Sequence, residues 1–233
     1  MNVFWTTWEN TSAIAQLTLA ISRSSLEFFY FLIPGPGFPH DIIFYKSFIY
    51  KLMVSRAELG KSLNLKVDLI PRSNRNRPGT PIRPRYITIH NTDNTNITAT
   101  ALGHARYLKN DPRVSWHYTV DDKLCVKHLP INERGWHSGS PIGNRQSIGI
   151  EICMYRGINQ KAANKRAATL AAILLYDLNL PTNRLVTHYY WTRKNCPRLL
   201  LDNGKPGPKW NQFRQMTYDI YNSIGRRSLF KFF

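Results

Sequence analysis

The sequence has little cysteine, few acidic residues and no long apolar run. Three cysteines in 233 residues exclude the disulfide scaffold of a small secreted domain. No apolar stretch reaches the roughly 20 residues that a membrane-spanning helix needs, so we expect no integral membrane span. Acidic residues number 14 against 32 Lys and Arg, which leaves a net charge of +18. Such an excess predicts a polyanionic partner, for example nucleic acid, an anionic membrane or an acidic cell-wall polymer.

Charge and aromatic residues divide the chain into two parts. Residues 1–52 have three basic and three acidic side chains and 12 of the 29 aromatic residues, so the whole charge of +18 lies in residues 53–233. We predict that residues 1–52 form an N-terminal extension outside the main domain. A signal peptide is disfavoured, because no Lys or Arg precedes the apolar stretch at 13–21. A membrane-peripheral segment and an upstream extension of the reading frame, with Met53 as the natural start, remain as alternatives.

Residues 53–85 are predicted to be an extended lead-in to the main domain. Within them, residues 71–85 hold four prolines and five arginines and show no hydrophobic periodicity, a composition typical of irregular chain. At the other end, residues 225–233 form a basic and aromatic tail. The main domain is therefore expected over residues 86–224.

Strands and helices alternate along this main domain. Alternating β-branched residues predict strands, and apolar residues spaced by three and four predict helices. The predicted strands are 86–90, 147–154, 185–188 and a hairpin over 116–128; the predicted helices are 98–109 with Thr98 as N-cap, 161–178 and a last one from Pro208; residues 132–144 are a predicted loop. This order predicts an α/β fold with a central mixed β-sheet flanked by helices.

Two of the seven histidines follow predicted strands, where α/β folds commonly place functional groups. They are His90 and His188, and Cys196 lies eight residues beyond the second. Two imidazoles and one thiolate make a three-ligand set for Zn²⁺ that leaves a fourth position for water, and soft ligands favour zinc over magnesium or calcium. The spacing alone fits no compact ligand motif, and a single histidine at a strand end is more often structural.

Five ordered segments carry a resemblance to a known family. They are YITIHNT at 86–92, SWHYTVDD at 115–122, GWHSG at 135–139, SIGIEIC at 147–153 and HYYWTRKNCP at 188–197. Together they resemble the zinc-dependent N-acetylmuramoyl-L-alanine amidases of the amidase type-2 family, which is related to the peptidoglycan-recognition proteins. The resemblance covers residues 64–224. It implies a central mixed sheet flanked by helices, with zinc in a groove at one side, and an amidase catalytic domain over residues 86–224.

The resemblance also implies roles for individual residues. The zinc ligands match His90, His188 and Cys196, the catalytic glutamate matches Glu151, and the catalytic lysine matches Lys194. A carboxylate beside the attacking water can take its proton and deliver it to the leaving amine, and a nearby ammonium can stabilise the developing negative oxygen. Alternatively, the glutamate balances a nearby arginine and the lysine is one of many on a basic surface.

Five further residues lie in or beside these motifs and are candidate substrate-binding residues. They are Asn91, Thr92, His117, Trp136 and His137. The asparagine and the threonine, which directly follow the first ligand, could instead support the metal site, the histidines could hydrogen-bond loops, and the tryptophan could belong to the core. Cys153 could be a fourth soft ligand, although buried free cysteine is usually packing.

The predicted function is hydrolysis of the amide bond between N-acetylmuramic acid and L-alanine in peptidoglycan, with Zn²⁺ as cofactor. The alternative is a non-catalytic peptidoglycan-binding module, which the presence of Cys196 disfavours, because such relatives characteristically lack the cysteine ligand. A nucleic-acid partner is not expected, since neither a basic recognition helix nor a zinc-finger spacing is found. We expect a monomer that acts on peptidoglycan and anionic polymers in the cell wall, as an autolysin or endolysin, by an export route that the sequence leaves open.

Overall fold

The computed structural model describes residues 54–224, so the predicted N-terminal extension and basic tail lie outside the described residues. The strands are β1 Leu65–Val67, β2 Tyr86–Asn91, β3 Tyr118–Val120, β4 Cys125–Lys127, β5 Ser147–Ile152 and β6 Leu185–Thr187. The helices are α1 Arg56–Ser62, α2 Ala101–Lys109, α3 Pro141–Gln146, α4 Gln160–Asp177, α5 His188–Thr192 and α6 Pro208–Ser223, with 3₁₀ turns at Thr182–Arg184 and Arg198–Leu200. The predicted fold class, a mixed sheet flanked by helices, is confirmed.

The six strands form one sheet in the order β1-β4-β3-β5-β2-β6. The β3–β4 pair is antiparallel and the other neighbouring pairs are parallel. Asp121 closes the β3–β4 hairpin, because its Oδ1 accepts hydrogen bonds from the backbone N–H groups of Lys123 (2.8 Å) and Leu124 (2.9 Å). The hairpin predicted from the sequence is therefore confirmed.

The two faces of the sheet have different chemistry, because side chains alternate along each strand. Isoleucines of β2 and β5 pack on α4, and Trp210 and Phe213 of α6 belong to the same apolar cluster. The opposite face carries Thr88 and His90 of β2 beside Gly149 and Glu151 of β5. This face is polar, and the candidate site lies on it.

Helix α4 supplies much of the core. Its N-cap Asn159 accepts a hydrogen bond from the backbone N–H of Ala162 (3.1 Å), and ten of its 18 residues are buried. Alanine is the commonest of these buried residues, and its small side chain lets the helix lie close to the strands. Within residues 54–224 we find no helix with the length and apolar character needed to cross a membrane.

The segment 53–85 is not an extended lead-in throughout, and that prediction is wrong for its first half. Helix α1 begins at a capping box in which the Ser55 hydroxyl accepts from the Glu58 N–H (3.1 Å) and the Glu58 carboxylate accepts from the Ser55 N–H (3.0 Å). Strand β1 then pairs in parallel with β4, Leu65 opposite Cys125. Residues 71–85 contain neither helix nor strand, in line with their composition.

Two local boundaries also differ from the prediction. Helix α2 is capped by Thr100, whose side chain accepts from the N–H of Gly103 (3.1 Å), and not by Thr98. The predicted loop 132–144 ends in helix α3, because Pro141 occupies its first turn and Ser140 caps it. A proline is favourable there, since the first helical N–H has no intrahelical partner.

Candidate metal centre and active-site groove

The three predicted metal ligands come together. His90 lies near the end of β2, His188 begins α5 directly after β6, and Cys196 follows α5. The Nδ1 atoms of the two histidines are 3.0 Å apart, and the cysteine Sγ is 3.7 Å from Nδ1 of His90. One donor atom of each residue lies within 4.8 Å of the others, and all three residues are buried. This is the spacing of a shared coordination centre.

The arrangement follows from the local fold. Strands β2 and β6 are parallel neighbours, so their carboxyl ends, and the histidines there, meet at one edge of the sheet. Arg193 adopts a left-handed conformation (φ 62°) that ends α5 and reverses the chain. The Tyr189 N–H then donates to the carbonyl oxygen of Cys196 (3.0 Å), which fixes the cysteine beside the histidines.

The two histidines, but not the cysteine, already have the protonation state that a buried cation site requires. Burial lowers the pKa of His90 well below its usual value and lowers the pKa of His188 to about 4, with the charge of Lys194 acting in the same direction. Both imidazoles are therefore neutral at neutral pH. Burial raises the pKa of the Cys196 thiol to about 12, so metal binding must release its proton.

The residues fit Zn²⁺. Each histidine uses its other side for a protein contact: Nε2 of His90 lies 3.0 Å from Nδ1 of His137, and His188 hydrogen-bonds the backbone of Ser138. Both Nδ1 lone pairs therefore face one point, where they would repel each other without a cation or proton between them. Two imidazoles and a thiolate are the donor set that zinc favours.

Glu151 lies beside this centre. It is the register partner of His90 in the β2–β5 pair, and its Oε1 is 3.9 Å from Nδ1 of that histidine. Its Oε2 is buried without a hydrogen-bond partner, and among residues 54–224 no arginine forms an ion pair with it. Burial raises its pKa to about 8, against the opposing positive charge of Lys194. The alternative that this glutamate balances an arginine is therefore wrong.

A groove of about 600 Å³ runs over the centre. Lys194 is exposed and lines it, and Asn91, Thr92, Trp136 and His137 line it as well. Another part of the wall is formed by residues that the sequence did not indicate as groove residues. They are Ala99, Gly103, His104, Tyr107, Val114 and Trp116. An aromatic pair, Tyr107 stacked on Trp116 with centroids 6.4 Å apart, gives this wall a flat apolar face.

The candidate substrate-binding residues differ in what their polar atoms do. The Asn91 side chain donates to the carbonyl of Ile152 (3.3 Å) and accepts from the N–H of Leu199 (3.0 Å), so it holds the chain near the metal ligands. Thr92 has a buried hydroxyl without a partner among the described residues. The guanidinium of Arg134 lies 4.1 Å from the ring centroid of Trp136. Asn91 therefore has a supporting role, whereas the threonine hydroxyl has no hydrogen bond that fixes its orientation.

His117 does not line the groove, and its predicted substrate contact is wrong. The residue is completely buried. Its Nε2–H donates to the carbonyl of Glu133 (2.9 Å), and its Nδ1 accepts from the N–H of Gly149 (3.0 Å). Both nitrogens are used in joining a loop to β5, which is the structural alternative considered for this histidine.

Two further residues have structural roles, and for Cys153 this is the packing role that is usual for a buried free cysteine. Cys153 is outside the metal centre: its Sγ lies 3.9 Å from Nδ1 of His104, and it packs in a separate apolar cluster. Asn144 was not singled out, although its Oδ1 accepts from the N–H groups of His137 (3.0 Å) and Ser138 (2.9 Å) and from the Ser138 hydroxyl (2.9 Å). Its only signal in the sequence was an asparagine in a glycine-rich stretch, which is too common to identify a role.

Comparison with known proteins agrees with this geometry. Relatives include the N-acetylmuramoyl-L-alanine amidases CwlH and XlyA of Bacillus subtilis (strain 168), each 46% identical over 155 residues, or 65% of this chain. That alignment spans 60% and 50% of their respective lengths. The solved catalytic domain of XlyA is 45% identical with a TM-score of 0.62, and the structure of PlyL is 31% identical with a TM-score of 0.58; each match covers 66% of this chain and 99% or 96% of the other.

A family model also matches this chain, over a range that includes the residues lining the groove. The family model described as N-acetylmuramoyl-L-alanine amidase, Amidase_2, matches residues 79–199. This range includes β2, β5 and β6, the three candidate ligands, Glu151 and Lys194. The chain belongs to the Amidase_2 family of N-acetylmuramoyl-L-alanine amidases.

Proposed function

We propose that this protein hydrolyses the amide bond between N-acetylmuramic acid and L-alanine in peptidoglycan, with Zn²⁺ held by His90, His188 and Cys196. The observation that carries the proposal is the convergence of these three buried donors beside the buried carboxyl group of Glu151. The relatives are named as amidases with this activity, and this chain aligns with no more than about 60% of their lengths. Residues 79–224 hold every group that the proposal uses.

The reaction needs a nucleophile, a proton carrier and stabilisation of negative charge. When bound, Zn²⁺ supplies Lewis acidity that makes water nucleophilic near neutral pH and polarises a carbonyl group. Glu151 accepts a proton from the attacking water at a carboxylate oxygen and donates it to the nitrogen of L-alanine as the C–N bond breaks. The products are a carboxylate on the muramic acid side and a free amine on the peptide side.

The surroundings of Glu151 suit this exchange of a proton. Burial raises its pKa to about 8, and Lys194 acts against that increase, so the group can hold and release a proton near neutral pH. A group with a pKa near the working pH is the most effective general acid and base. The ammonium group of Lys194, exposed at the groove, stabilises the oxygen on which negative charge develops.

A non-catalytic peptidoglycan-binding module is the second candidate. A binder needs the groove but neither a metal-ligating thiol nor a buried acid beside it. Burying Glu151 without a partner for Oε2 costs free energy, and burying Cys196 beside two imidazoles gains nothing for binding alone. The presence of both residues supports hydrolysis.

The charge of the chain supports anionic cell-wall polymers as a second partner. Residues 54–224 hold 26 Lys and Arg against 11 Asp and Glu. We propose that this excess concentrates the protein on the cell wall, outside the cell, where it acts as a monomeric autolysin or endolysin. Binding to sedimented walls should weaken strongly between low and high salt, because exposed charges are screened. Binding that is independent of salt would contradict this part of the proposal.

A wall-digestion assay with the full chain tests the proposed activity. Purified peptidoglycan is incubated with the protein, with the protein after treatment with a chelator, and with the chelated protein after zinc is restored. We expect free amino termini of L-alanine to appear in the first and third samples and not in the second. A protein that sediments with the wall in all three samples but releases no amine would be a binding module, and release that survives chelation would contradict the zinc site.

A further inference from the structure

His137 contacts the proposed metal ligand His90 on the opposite side of its ring from His188 and Cys196. Nδ1 of His137 lies 3.0 Å from Nε2 of His90, and Nε2 of His137 lies 3.3 Å from the carbonyl oxygen of Ser147. The two imidazole rings are almost perpendicular, with centroids 5.1 Å apart. The contact therefore joins ring edges, as a hydrogen bond requires, and is not stacking.

The chain of contacts assigns every proton in it. A carbonyl oxygen only accepts, so Nε2 of His137 carries a proton and donates it to Ser147. In the neutral tautomer that this hydrogen bond selects, Nδ1 of His137 has a lone pair, and at 3.0 Å it accepts from Nε2–H of His90. The neutral His90 is thereby left with its lone pair on Nδ1, the atom that faces His188 and Cys196.

The glycine at position 149 leaves the space that the His137 ring occupies. A Cβ atom at Gly149 would lie 2.7 Å from Cγ and 2.8 Å from Nδ1 of His137, so only glycine allows the ring to lie flat against β5. On the other side, Oδ1 of Asn144 holds the backbone N–H groups of His137 and Ser138. The same two-residue segment thus supports both histidine ligands, one through a side chain and the other through the backbone of Ser138.

We infer that His137 is a positioning residue of the metal centre and not a substrate contact: it fixes the tautomer and ring orientation of His90 so that Nδ1 is presented to the metal. Partners of this kind typically change metal affinity by about 10–100-fold when removed. The inference about zinc rests on the proposed function, whereas the hydrogen bond between the two histidines does not.

The hydrogen bond is tested first in the metal-free full chain. In protein labelled with ¹⁵N, we expect a scalar coupling across the hydrogen bond between Nε2 of His90 and Nδ1 of His137, and a slowly exchanging Nε2–H proton on His90. Replacing the partner, His137→Leu, should abolish the coupling. Absence of the coupling in the wild-type protein, or a His90 ring protonated on Nδ1, would overturn the inference even if the protein proves to be a zinc amidase.

Zinc affinity, measured by competition with a chromogenic chelator, is the second test. We expect His137→Leu to weaken binding by about 10–100-fold and His137→Gln to bind more tightly than the leucine variant, because its amide can accept from His90 and donate to Ser147. His104→Gln is the matched control: this histidine is equally buried and lines the same groove, but its Nδ1 bonds the carbonyl of Thr100, so zinc affinity should not change.

The outcomes separate the alternatives. A leucine variant with wild-type zinc affinity and a raised KM would make His137 a substrate contact and overturn the inference. Equal weakening by leucine and glutamine would assign only a packing role and overturn it as well. Failure of the wild-type protein itself to bind zinc would refute the proposed function, while the coupling experiment would still decide the hydrogen bond.

Discussion

His90 and Glu151 occupy paired positions on β2 and β5, and the carboxylate oxygen Oε1 lies 3.9 Å from Nδ1 of the histidine. The backbone pairing of two central, buried strands sets this relationship, so it does not depend on the conformation of a loop. The proposed metal donor and the proposed proton carrier, held in this way, keep their separation without help from substrate. Rigid elements place functional groups more accurately than loops do.

The role of Glu151 predicts a separation of activity from metal binding. Glu151→Gln should reduce the rate of amide hydrolysis by about 10²–10⁴-fold, because the amide cannot carry the proton, while the zinc content stays at the wild-type level. Amine release and metal analysis on the same preparation measure both. Full activity in this variant would remove the glutamate from the mechanism.

The same substitution should stabilise the metal-free protein. Since burial raises the pKa of Glu151 above its unfolded value near 4.3, the folded state binds its proton more tightly, and wild-type stability falls as pH rises from about 5 to 8. Glutamine does not titrate. Calorimetry in the presence of chelator should therefore show a Tm advantage for the variant that is larger at pH 8 than at pH 5.

The proposed role of Cys196 as a zinc ligand predicts different outcomes for two buried thiols. Cys196→Ser should weaken zinc binding by more than the 10–100-fold loss typical of an outer partner, because a hydroxyl is a poor substitute for a thiolate. Cys153→Ala should retain wild-type affinity, since its sulfur lies in another cluster. Chelator competition on both variants measures this, and a loss confined to Cys153→Ala would place the metal elsewhere.

Lys194 is predicted to act on the reaction through its charge. Lys194→Ala should lower the rate by about 10²–10³-fold, the usual loss for a group that stabilises a developing oxyanion. Lys205 is also exposed but does not line the groove, so Lys205→Ala should leave the rate unchanged. Equal, small effects of the two substitutions would mean that only the total charge matters.

The sequence predicted the centre of the fold better than its edges. The alternation of β2 and β5 is a local pattern, and the motifs around His90, His188 and Cys196 carried the family resemblance. Strand β1 is short and exposed, and only its pairing with β4 makes it a strand. No local pattern indicates such an element, which is why residues 53–85 were expected to be irregular.

The three side chains that converge at the candidate site were predictable from the sequence, but the contacts that support them were not. His117 and His137 both lie in family motifs. His117 is buried and hydrogen-bonds a loop and β5, whereas His137 contacts the proposed metal ligand His90. The difference arises from where the chain on either side of each histidine packs, which depends on contacts with other parts of the chain, such as Gly149 and Asn144. Sequence spacing alone does not contain that information.

Two glycines provide a matched test of the packing around His137. Gly149→Ala should destabilise the domain and weaken zinc binding, because its Cβ would meet a rigid ring at 2.7 Å. In helix α1, a Cβ at Gly60 would lie 3.2 Å from Nη1 of Arg56, which is paired with Asp177, so Gly60→Ala should change stability by no more than about 1 kcal/mol and leave zinc affinity unchanged. Urea unfolding and chelator competition measure both, and normal zinc affinity in Gly149→Ala would argue against a positioned ring.

The ion pair between Arg77 and Glu133 anchors the irregular segment to the domain. The guanidinium donates from Nε (2.8 Å) and Nη2 (2.9 Å) to the carboxylate and from Nη1 to the carbonyl of Ile70 (2.7 Å). Both side chains are largely buried. Glu133→Ala should therefore cost about 3 kcal/mol at pH 7, because it leaves a buried charge without its partner, whereas Arg75→Ala, at a side chain that is 92% exposed, should change stability by less than about 0.5 kcal/mol.

The cost of Glu133→Ala should also depend on pH. The hydrogen bonds and charge of Arg77 lower the pKa of Glu133, so its contribution is complete above the unfolded value near 4.3 and is lost as pH falls through the folded value. The stability difference between the wild-type protein and the variant should thus be constant from about pH 6 to 8 and shrink below about pH 4. Urea unfolding across this range measures it, and a difference that persists unchanged at about pH 3 would mean that packing, and not charge, holds the segment in place.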